Sequence, residues 1–248
     1  LAIIGMAGVF PGAKNVDEFW DNLCNKNCSI KELSSEYLES IGVSAEIYED
    51  ENYRAYGALI DDVEHFDYQF WNLSKKESVL MDPQHRLFLQ SCYHALENAG
   101  IKPGKGERTG VFGGSYSPLY LLHQLGGGGF MDPTDPMEYH LTETGNDKDY
   151  LTTRVSYMLD LQGPSIGVQT SCSTALSVIS SACQSLELNQ CDIALAGASS
   201  ITFPQGGYQY VEGHINSLDG KVRTFDEKAS GTILGDGVGV VVLKRLDD

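Results

Sequence analysis

The chain has 248 residues, of which 42 % are hydrophobic, and a formal net charge of -17 at pH 7. This composition is typical of a globular protein with a sizeable core. The negative charge argues against a nucleic-acid partner, because phosphate binding needs a basic surface. No apolar run is long enough to span a membrane and no signal-peptide pattern is present. The six irregularly spaced cysteines favour a reducing compartment, and we expect a cytoplasmic protein. The chain begins without an initiator methionine, and we expect it to be part of a longer protein.

The first elements predicted are a strand and a short helix. The apolar run 1–6 indicates a fully buried strand, and Asn15 with Glu18 forms a capping-box pattern that begins a helix. Cys24 and Cys28 are four residues apart, but no second pair and no histidine follows nearby, whereas a structural zinc needs four ligands. We therefore interpret both cysteines as structural and expect no metal site. The six cysteines are irregularly spaced, which does not indicate a disulfide framework.

Residues 30–67 are irregular in pattern and rich in Tyr, Glu and Asp. We interpret this stretch as an excursion of loops and short helices that lies over a sheet. Phe66, Phe70 and Trp71 follow it closely, and we expect these aromatic side chains to anchor the excursion to the core.

A clear helix begins at Asp82, which is a favoured N-cap residue, with Pro83 at the first helical position. An apolar stripe follows, and Gly100 is a natural C-terminal stop. His85 and His94 lie on or near this helix and need no catalytic role. Arg86 is a candidate for a buried ion pair. Residues 109–114 then indicate a strand and a turn.

Residues 115–139 form the least regular stretch of the sequence. It contains four consecutive glycines at 126–129 and Asp-Pro pairs at 132–133 and 135–136. This composition predicts a long, irregular loop, and long loops in compact domains are often functional. A helix over 146–159 is predicted to follow.

A strand, a polar turn and a helix are predicted around Cys172. Residues 165–168 indicate a short buried strand, Ser171 and Ser173 favour a helix N-terminus, and apolar residues recur at helical spacing from Leu176 onward. A helix N-terminus favours a thiolate, and its N–H groups can hold the oxyanion that forms when sulfur attacks a carbonyl carbon. The alternative at this point is a buried structural cysteine, which is the commoner case.

The last third of the chain contains two predicted strands and a loop. Residues 192–198 indicate a second buried strand, and the loop 204–213 carries Tyr208 and Tyr210. His214 follows, and a Cys–His pair is a possible nucleophile arrangement. The glycine-rich run 235–239 opens a strand rather than a helix, so we reject a nucleotide-binding loop there.

Residues 163–176 (GPSIGVQTSCSTAL) resemble the active-site signature of β-ketoacyl synthases, and more narrowly that of ketosynthase domains of modular type I polyketide synthases. Other segments resemble further landmarks of this family, in the family's order, almost from end to end of the chain. They are residues 82–89 (DPQHRLFL), 145–147 (GND), 153–157 (TRVSY), 217–220 (SLDG), 224–226 (TFD) and 235–239 (GDGVG).

The resemblance implies a thiolase-like α/β fold, layered α-β-α-β-α, of which this chain contains mainly the N-terminal half. It implies that Cys172 is the nucleophile and that its own main-chain N–H is an oxyanion donor. An acyl chain would come from the phosphopantetheine thioester of an acyl carrier protein, for decarboxylative condensation with a malonyl-type extender. The protein would be an acyltransferase that binds no cofactor directly. By resemblance Tyr210 lies near the acyl pocket as a substrate-binding residue, although plain packing is an equal alternative.

Two histidines that complete the family's active site lie in His-Gly-Thr-Gly and Asn-x-Gly-His motifs, and neither motif occurs in residues 1–248. None of the six histidines has a matching context, and the family usually has glycine near His214. We therefore expect the C-terminal half of the domain, neighbouring synthase domains and a carrier protein to be partners. The resemblance also implies a homodimer, and we expect the isolated chain to be unable to complete condensation.

Three alternatives to an elongating polyketide ketosynthase remain at this point. The chain could belong to a fatty-acid or polyunsaturated-fatty-acid synthase, or to a non-elongating ketosynthase that only transfers or gates acyl chains. A thioesterase that uses Cys172 is the weakest alternative, because no Cys-His-Asp set is visible. An intact Cys172 disfavours a loading-type decarboxylase, in which Gln or Ser replaces the cysteine.

Overall fold

The computed structural model describes residues 1–104, 106–125 and 134–248, and its elements confirm an α/β fold. The four-glycine run at 126–129 and the Asp-Pro pair at 132–133 lie outside the described residues. The strands are β1 (Ala2–Val9), β2 (Lys31–Glu32), β3 (Tyr53–Arg54), β4 (Tyr56–Gly57), β5 (Thr109–Ser115), β6 (Ser165–Gly167), β7 (Ile193–Ser200), β8 (Tyr208–Gln209) and β9 (Gly237–Lys244). The α-helices are α1 (Val16–Cys24), α2 (Ser35–Ser40), α3 (Ala45–Tyr48), α4 (Lys75–Leu80), α5 (Pro83–Asn98), α6 (Pro136–Asn146), α7 (Tyr150–Met158) and α8 (Thr174–Glu187).

A five-stranded mixed sheet forms the centre of the fold, with the strand order β1-β9-β7-β5-β6. Strands β6, β5 and β7 run parallel to one another, whereas β9 is antiparallel to both of its neighbours, β7 and β1. Helices α5 and α7 pack on one face of the sheet, and α8 packs on the other. The sheet is therefore the middle of three layers.

The central strands are buried on both faces, which explains their nearly continuous apolar sequences. On β7, Ile193 and Leu195 contact the cluster beneath α5 and α7, while Ala194 and Ala196 contact the cluster beneath α8. The same alternation holds on β5, where Val111 and Phe112 face opposite layers. The buried strand predicted at 192–198 is confirmed.

Helix α5 has the predicted limits. The Asp82 carboxylate accepts a hydrogen bond from the main-chain N–H of Gln84 at 2.8 Å, as an N-cap does. Pro83 is the first helical residue, and Gly100 follows the helix with φ of +69°, a conformation that favours glycine. This helix contacts β1, β9 and β7, so it spans much of the sheet.

Arg86 is buried, but the prediction that it forms an ion pair is wrong for the described residues. Its guanidinium donates to the main-chain carbonyls of Met81 and Val79 and lies 5.6 Å from the ring centre of Tyr120. Carbonyl oxygens at the end of α4 thus replace a carboxylate as partners, because the charge can be satisfied by backbone dipoles. His85 is also buried, whereas His94 is exposed and lies 3.0 Å from Glu97.

The excursion predicted over 30–67 is confirmed as short strands and helices, from β2 to β4. Its anchoring is only partly as predicted. Trp71 is buried and Phe66 packs against the same core cluster, but Phe70 is 59 % exposed and touches Trp71 with its edge. The expectation that Phe70 anchors the excursion is therefore corrected, because its ring covers Trp71 from outside.

Two strands predicted to be buried are instead edge strands. Strand β1 is the first strand of the sheet, and its Ile3 and Met6 side chains are exposed. Strand β6 is the last, and Ile166 is 41 % exposed. Apolar composition predicts a strand, but only the order of strands decides which ones lie between two neighbours.

The helix predicted over 146–159 is interrupted, since α6 ends at Asn146 and α7 begins at Tyr150. The main-chain N–H of Tyr150 donates to the carbonyl oxygen of Asp147, which makes the turn between the two helices. In the part of the chain that the structure describes, no helix combines the length and the apolar composition needed to cross a bilayer.

Candidate active site

Cys172 lies in a short 3-10 turn, Ser171–Ser173, which joins the region after β6 to the first residue of α8. The cysteine is exposed, so the alternative of a buried structural cysteine is wrong at this position. The predicted order of strand, polar turn and helix is confirmed. The thiol therefore lies at the N-terminal end of a 14-residue helix.

Side-chain hydrogen bonds close this turn around the cysteine. The main-chain N–H of Thr170 donates to Thr174 Oγ1 at 2.9 Å, and Ser173 Oγ donates to the carbonyl oxygen of Thr170, also at 2.9 Å. Thr170 Oγ1 in turn donates to Ser177 Oγ at 3.0 Å, which ties the turn to α8. The hydroxyl groups of Ser173 and Thr174 thus stabilise the turn itself, and Ser173 makes no side-chain cap bond.

Ser171 has a left-handed backbone conformation, with φ of +54°. This conformation costs a residue with a β-carbon roughly 1–2 kcal/mol and persists only where the surroundings impose it. A comparable sharp, strained turn between strand and helix exposes the nucleophile of serine hydrolases. The strain adjacent to Cys172 therefore favours a functional role for this turn over a simple loop.

Glycines on β5 let the Cys172 turn approach the sheet closely. A β-carbon at Gly114 would lie 2.3 Å from the carbonyl oxygen of Val168 and 2.4 Å from Thr174 Cγ2. At Gly113, a β-carbon would lie 2.7 Å from Phe88 Cζ on α5. The β5 backbone is thus held between α5 and the Cys172 turn, and no larger residue fits without displacement of a neighbour.

The N-terminus of α8 supplies the electrostatics of the site. The first turn of an α-helix has N–H groups without intrahelical partners and carries about half a positive charge. Such a position stabilises a thiolate and the oxyanion of a tetrahedral intermediate. Burial, in contrast, raises the pKa of the Cys92 and Cys191 thiols, which makes those two cysteines poor nucleophiles.

The remaining cysteines also lie elsewhere. Cys24 is the last residue of α1, and Cys28 follows in the loop. Both are exposed free thiols, so neither packs in the core, and the interpretation of them as packed structural residues is corrected. Cys183 is half-buried on the third turn of α8.

The apolar stripe predicted on α8 is confirmed except at Leu176, since Ile179, Ala182, Cys183 and Leu186 lie in or against the core cluster beneath the helix. Val178, Ala182 and Leu186 are buried against the sheet, but Leu176 is 74 % exposed. The predicted stripe included Leu176 because it is apolar and close to helical spacing. The structure places it on the side of α8 away from the sheet, since positions 178, 182 and 186 are spaced by one helical turn.

Tyr210 contacts the excursion rather than the Cys172 turn. Its main-chain N–H donates to the carbonyl oxygen of Asn52 at 2.8 Å, and the guanidinium of Arg54 lies 5.6 Å from its ring centre. Its assignment to an acyl pocket stays a prediction. His214 is hydrogen-bonded to Asn216, with 2.7 Å between Nδ1 and Oδ1. Within the described residues, no histidine side chain is hydrogen-bonded to Cys172.

The sequence reasoning missed Asp236, which lies in the glycine-rich run before β9. Asp236 is buried, with 6 % of the residue exposed, and its carboxylate accepts hydrogen bonds from four donors. They are the Ile60 N–H at 3.1 Å, the Thr202 N–H and Oγ1 at 2.8 Å each, and Gln205 Nε2 at 2.7 Å. Asp236 therefore joins the excursion to the loop that carries Tyr208. An acidic residue between two glycines was the available signal, but its partners are distant in sequence.

Three exposed side chains form the one potential metal-ligating group in the described ranges. Ligand atoms of Asp62, Glu64 and His65 lie within 4.8 Å of one another. The Asp62 carboxylate lies 3.6 Å from His65 Nδ1, so the cluster has an internal explanation. Exposed acidic groups are common without a bound ion, so this cluster by itself does not indicate a metal site.

Residues 1–248 match the family described as Beta-ketoacyl synthase, N-terminal domain. The chain is 43 % identical to a phenolphthiocerol/phthiocerol polyketide synthase of Mycobacterium tuberculosis, over 99 % of this chain and 17 % of that protein. It is 34 % identical to polyketide synthase PksL of Bacillus subtilis, over 100 % of this chain and 5 % of that protein.

Solved ketosynthases have a similar fold. Ketosynthase twelve from the bacillaene polyketide synthase of Bacillus amyloliquefaciens superposes with a TM-score of 0.88 at 30 % identity, over 99 % of this chain and 43 % of that chain. The ketosynthase from module 6 of the Bacillus subtilis bacillaene synthase gives 0.77 at 33 % identity, over 100 % of this chain and 40 % of that chain. The chain thus spans less than half of these solved ketosynthases.

These similarities confirm the predicted thiolase-like fold, with its sheet between two helical layers. They also confirm the resemblance inferred from the Cys172 signature, since a family match extends over the whole chain. The chain belongs to the β-ketoacyl synthase family, as a member of its N-terminal domain, and its relatives include polyketide synthases.

Proposed function

We propose that this chain carries the nucleophile of a polyketide ketosynthase and that Cys172 accepts the growing acyl chain. One observation carries the proposal: Cys172 is an exposed thiol on a strained turn at the N-terminus of α8, in a chain of the β-ketoacyl synthase family. The relatives named above are polyketide synthases, which favours a polyketide over a fatty-acid pathway.

The first half-reaction is a transthioesterification. The Cys172 thiolate attacks the carbonyl carbon of an acyl-phosphopantetheine thioester, and the N–H groups of the turn, including that of Cys172, hold the oxyanion. Collapse of this intermediate breaks the bond to the pantetheine sulfur, which leaves as a thiolate and takes up the proton that Cys172 lost. The products are an acyl-cysteine thioester and a free carrier thiol.

The second half-reaction forms the carbon–carbon bond. A malonyl-type extender on a carrier protein loses carbon dioxide, and the resulting carbanion attacks the acyl-cysteine carbonyl, which releases the Cys172 thiolate. The enolate needs hydrogen-bond donors, and the two histidine motifs that supply them in the family do not occur in residues 1–248. We therefore expect residues 1–248 alone to be unable to complete condensation. A carrier protein, the second half of the domain and a second copy of the chain are the proposed partners.

Acyl loading tests this proposal. The complete gene product is incubated with an acyl-pantetheine thioester, digested, and its peptides are weighed. We expect a single acyl adduct on the peptide that contains Cys172, and none in Cys172→Ser.

The exposed cysteines provide the control for this experiment. Cys24→Ser should load as the unaltered protein does, because Cys24 is exposed but lies at the C-terminal end of its helix. Adducts spread over Cys24, Cys28 and Cys172, or absent altogether, would mean that the turn does not activate its cysteine. Carbon–carbon bond formation by residues 1–248 alone would contradict the expectation that the second half of the domain is needed for condensation.

A further inference from the structure

We propose that Gln169 is the positioning residue of the Cys172 turn, and that its side-chain amide acts as a strand partner for the main chain of Ser115. The proposal deepens the function proposed above and rests on it, since it concerns how Cys172 is placed. Gln169 lies three residues before the cysteine, and Ser115 is the last residue of β5.

The β5–β6 ladder shows what the backbone would do if β6 continued. Val111 and Ser165 are paired, as are Gly113 and Gly167. The corresponding bonds run from the Val111 N–H to the Pro164 carbonyl at 2.7 Å, and from the Val168 N–H to the Gly113 carbonyl at 2.9 Å.

Parallel pairing repeats every two residues, so the next residue of β5 to be paired is Ser115, opposite Gln169. A continuing strand would satisfy Ser115 with two main-chain groups. The Ser115 N–H would donate to the Val168 carbonyl, and the Ser115 carbonyl would accept from the Thr170 N–H.

The side chain of Gln169 makes both of these contacts instead. With its amide nitrogen facing the Ser115 carbonyl, Nε2 donates to that oxygen at 2.9 Å, and Oε1 accepts from the Ser115 N–H at 3.2 Å. A primary amide offers the same donor and acceptor pair as a peptide unit. The ladder therefore gains one more step although the main chain has already left the sheet.

Because the Gln169 side chain bonds to Ser115, the main-chain N–H of Thr170 does not pair with the sheet. It donates instead to Thr174 Oγ1 at 2.9 Å, and that bond closes the turn in which Cys172 lies. Without the side-chain substitute, either Ser115 would lose two partners or Thr170 would return to the ladder and open the turn. Gln169 thus couples the end of β5 to the position of the thiol.

Ser115 is a firm anchor for this coupling because its surroundings are held on other sides. It is buried and paired with Ser199 of β7. The next N–H along the chain, that of Tyr116, lies 3.0 Å from both the Ser199 carbonyl and Gln84 Oε1. The side-chain amide that is hydrogen-bonded to Ser115 therefore fixes the position of the Cys172 turn relative to the centre of the sheet and to α5.

The test uses two variants of the complete gene product and a matched control. Gln169→Leu removes both contacts at similar size, and Gln169→Glu keeps an acceptor for the Ser115 N–H but removes the donor to its carbonyl. The control is Gln162→Leu, since Gln162 is exposed and its amide contacts only Asp160 in its own loop. Acyl loading is measured against donor concentration on the folded fraction, together with hydrogen exchange at Ser115.

We expect the maximal loading rate of Gln169→Leu to fall on the order of 10- to 100-fold, because small displacements of a reacting group have effects of this size. The donor concentration at half-saturation should be unchanged, Gln169→Glu should be intermediate, and Gln162→Leu should load normally. The Ser115 N–H should exchange faster in Gln169→Leu.

Three outcomes would overturn the inference. They are equal maximal rates in all variants, a change confined to half-saturation, and unchanged exchange at Ser115. The exchange arm does not depend on acyl chemistry, so it separates the two proposals. If the unaltered protein fails to load but Ser115 exchange rises in Gln169→Leu, the proposed function fails while the side-chain pairing stands.

Discussion

Asp236 offers the sharpest test of how the loop that carries Tyr208 is held. Its buried carboxylate accepts four hydrogen bonds, from the Ile60 N–H, two donors of Thr202, and Gln205 Nε2. No ion pair to this carboxylate occurs in residues 1–104, 106–125 and 134–248. The substitution Asp236→Asn keeps size and shape but replaces one acceptor oxygen by an amide that can only donate.

The expected cost follows from the geometry. Each carboxylate oxygen accepts two of the four bonds. An amide nitrogen in place of Oδ2 would face two N–H donors, whereas in place of Oδ1 it would face the Thr202 N–H and a hydroxyl that can turn to accept. At least one main-chain N–H therefore loses its acceptor in either orientation. Hydrogen bonds to a charged group are worth about 1.5–3 kcal/mol each. The neutral amide avoids part of the desolvation cost of the carboxylate, which reduces the net loss. We expect Asp236→Asn to lower the free energy of unfolding by about 2–4 kcal/mol.

Thermal unfolding and hydrogen exchange measure this loss together. For a chain of this size, about 2–4 kcal/mol corresponds to a fall of roughly 5–15 °C in melting temperature. The N–H of either Ile60 or Thr202 should exchange faster in the variant, because the amide nitrogen replaces the acceptor oxygen of one of them. Asp17→Asn is the control, since Asp17 is exposed in the first turn of α1 and should change stability by less than about 0.5 kcal/mol.

A specific result would refute this reasoning about Asp236. If Asp236→Asn melts within about one degree of the unaltered protein and the exchange of Ile60 and Thr202 stays slow, the carboxylate does not hold the excursion and the loop together. A loss of stability in Asp17→Asn of the same size would show instead that the protein responds generally to a lost negative charge.

Two further predictions concern packing and pH. Gly114→Ala should lower the free energy of unfolding by about 1–3 kcal/mol and reduce acyl loading, because the new β-carbon would lie 2.3 Å from the carbonyl oxygen of Val168. In the control Gly237→Ala the β-carbon meets open space, so stability and loading should stay unchanged. Equal melting temperatures for the two variants would contradict this prediction. Burial lowers the pKa of His85 to about 3 and raises that of Asp82 to about 6. His85 stays neutral in the folded protein, whereas in the unfolded chain it takes up a proton near pH 6.5. The contribution of neutral His85 to the free energy of unfolding is therefore lost as pH falls from about 6.5 towards 3, by at most about 1.4 kcal/mol per pH unit. The buried Asp82 takes up its proton near pH 6, above its unfolded pKa, so its contribution is gained as pH falls from about 6 to 4 and opposes that of His85. Between pH 6 and 4, His85→Gln should therefore gain stability on acidification relative to the unaltered protein and Asp82→Asn should lose it, which urea unfolding at each pH would check; parallel slopes in the two variants would refute both assignments.

Local signals predicted much of the fold well. The limits of α5 follow from Asp82, Pro83 and Gly100, and each of these residues has the predicted role. The order of strand, turn and helix around Cys172 also followed from residues within one short window. Capping groups and apolar periodicity act over three or four residues, so a single sequence is enough to recognise them.

Exposure and partner choice were predicted less well. Ile166, Phe70 and Leu176 are apolar and were assigned to the interior, yet all three are exposed. Arg86 was expected to meet a carboxylate, and it meets carbonyl oxygens at the end of α4. These errors have the same origin. The hydrophobicity or charge of a side chain predicts that burial or pairing is favourable, but not which neighbours the fold places beside it.

By itself, the sequence determined the α/β class, the limits of α5 and the candidate nucleophile Cys172, because these depend on short-range patterns and on a motif. Only the tertiary structure decided that β1 and β6 are edge strands, and that Asp236 joins segments about 30 and 175 residues away (by the hydrogen bonds to Gln205 and Ile60). It also decided that Gln169 pairs with Ser115. Strand order and register bring such residues together, and no spacing within the chain encodes them locally.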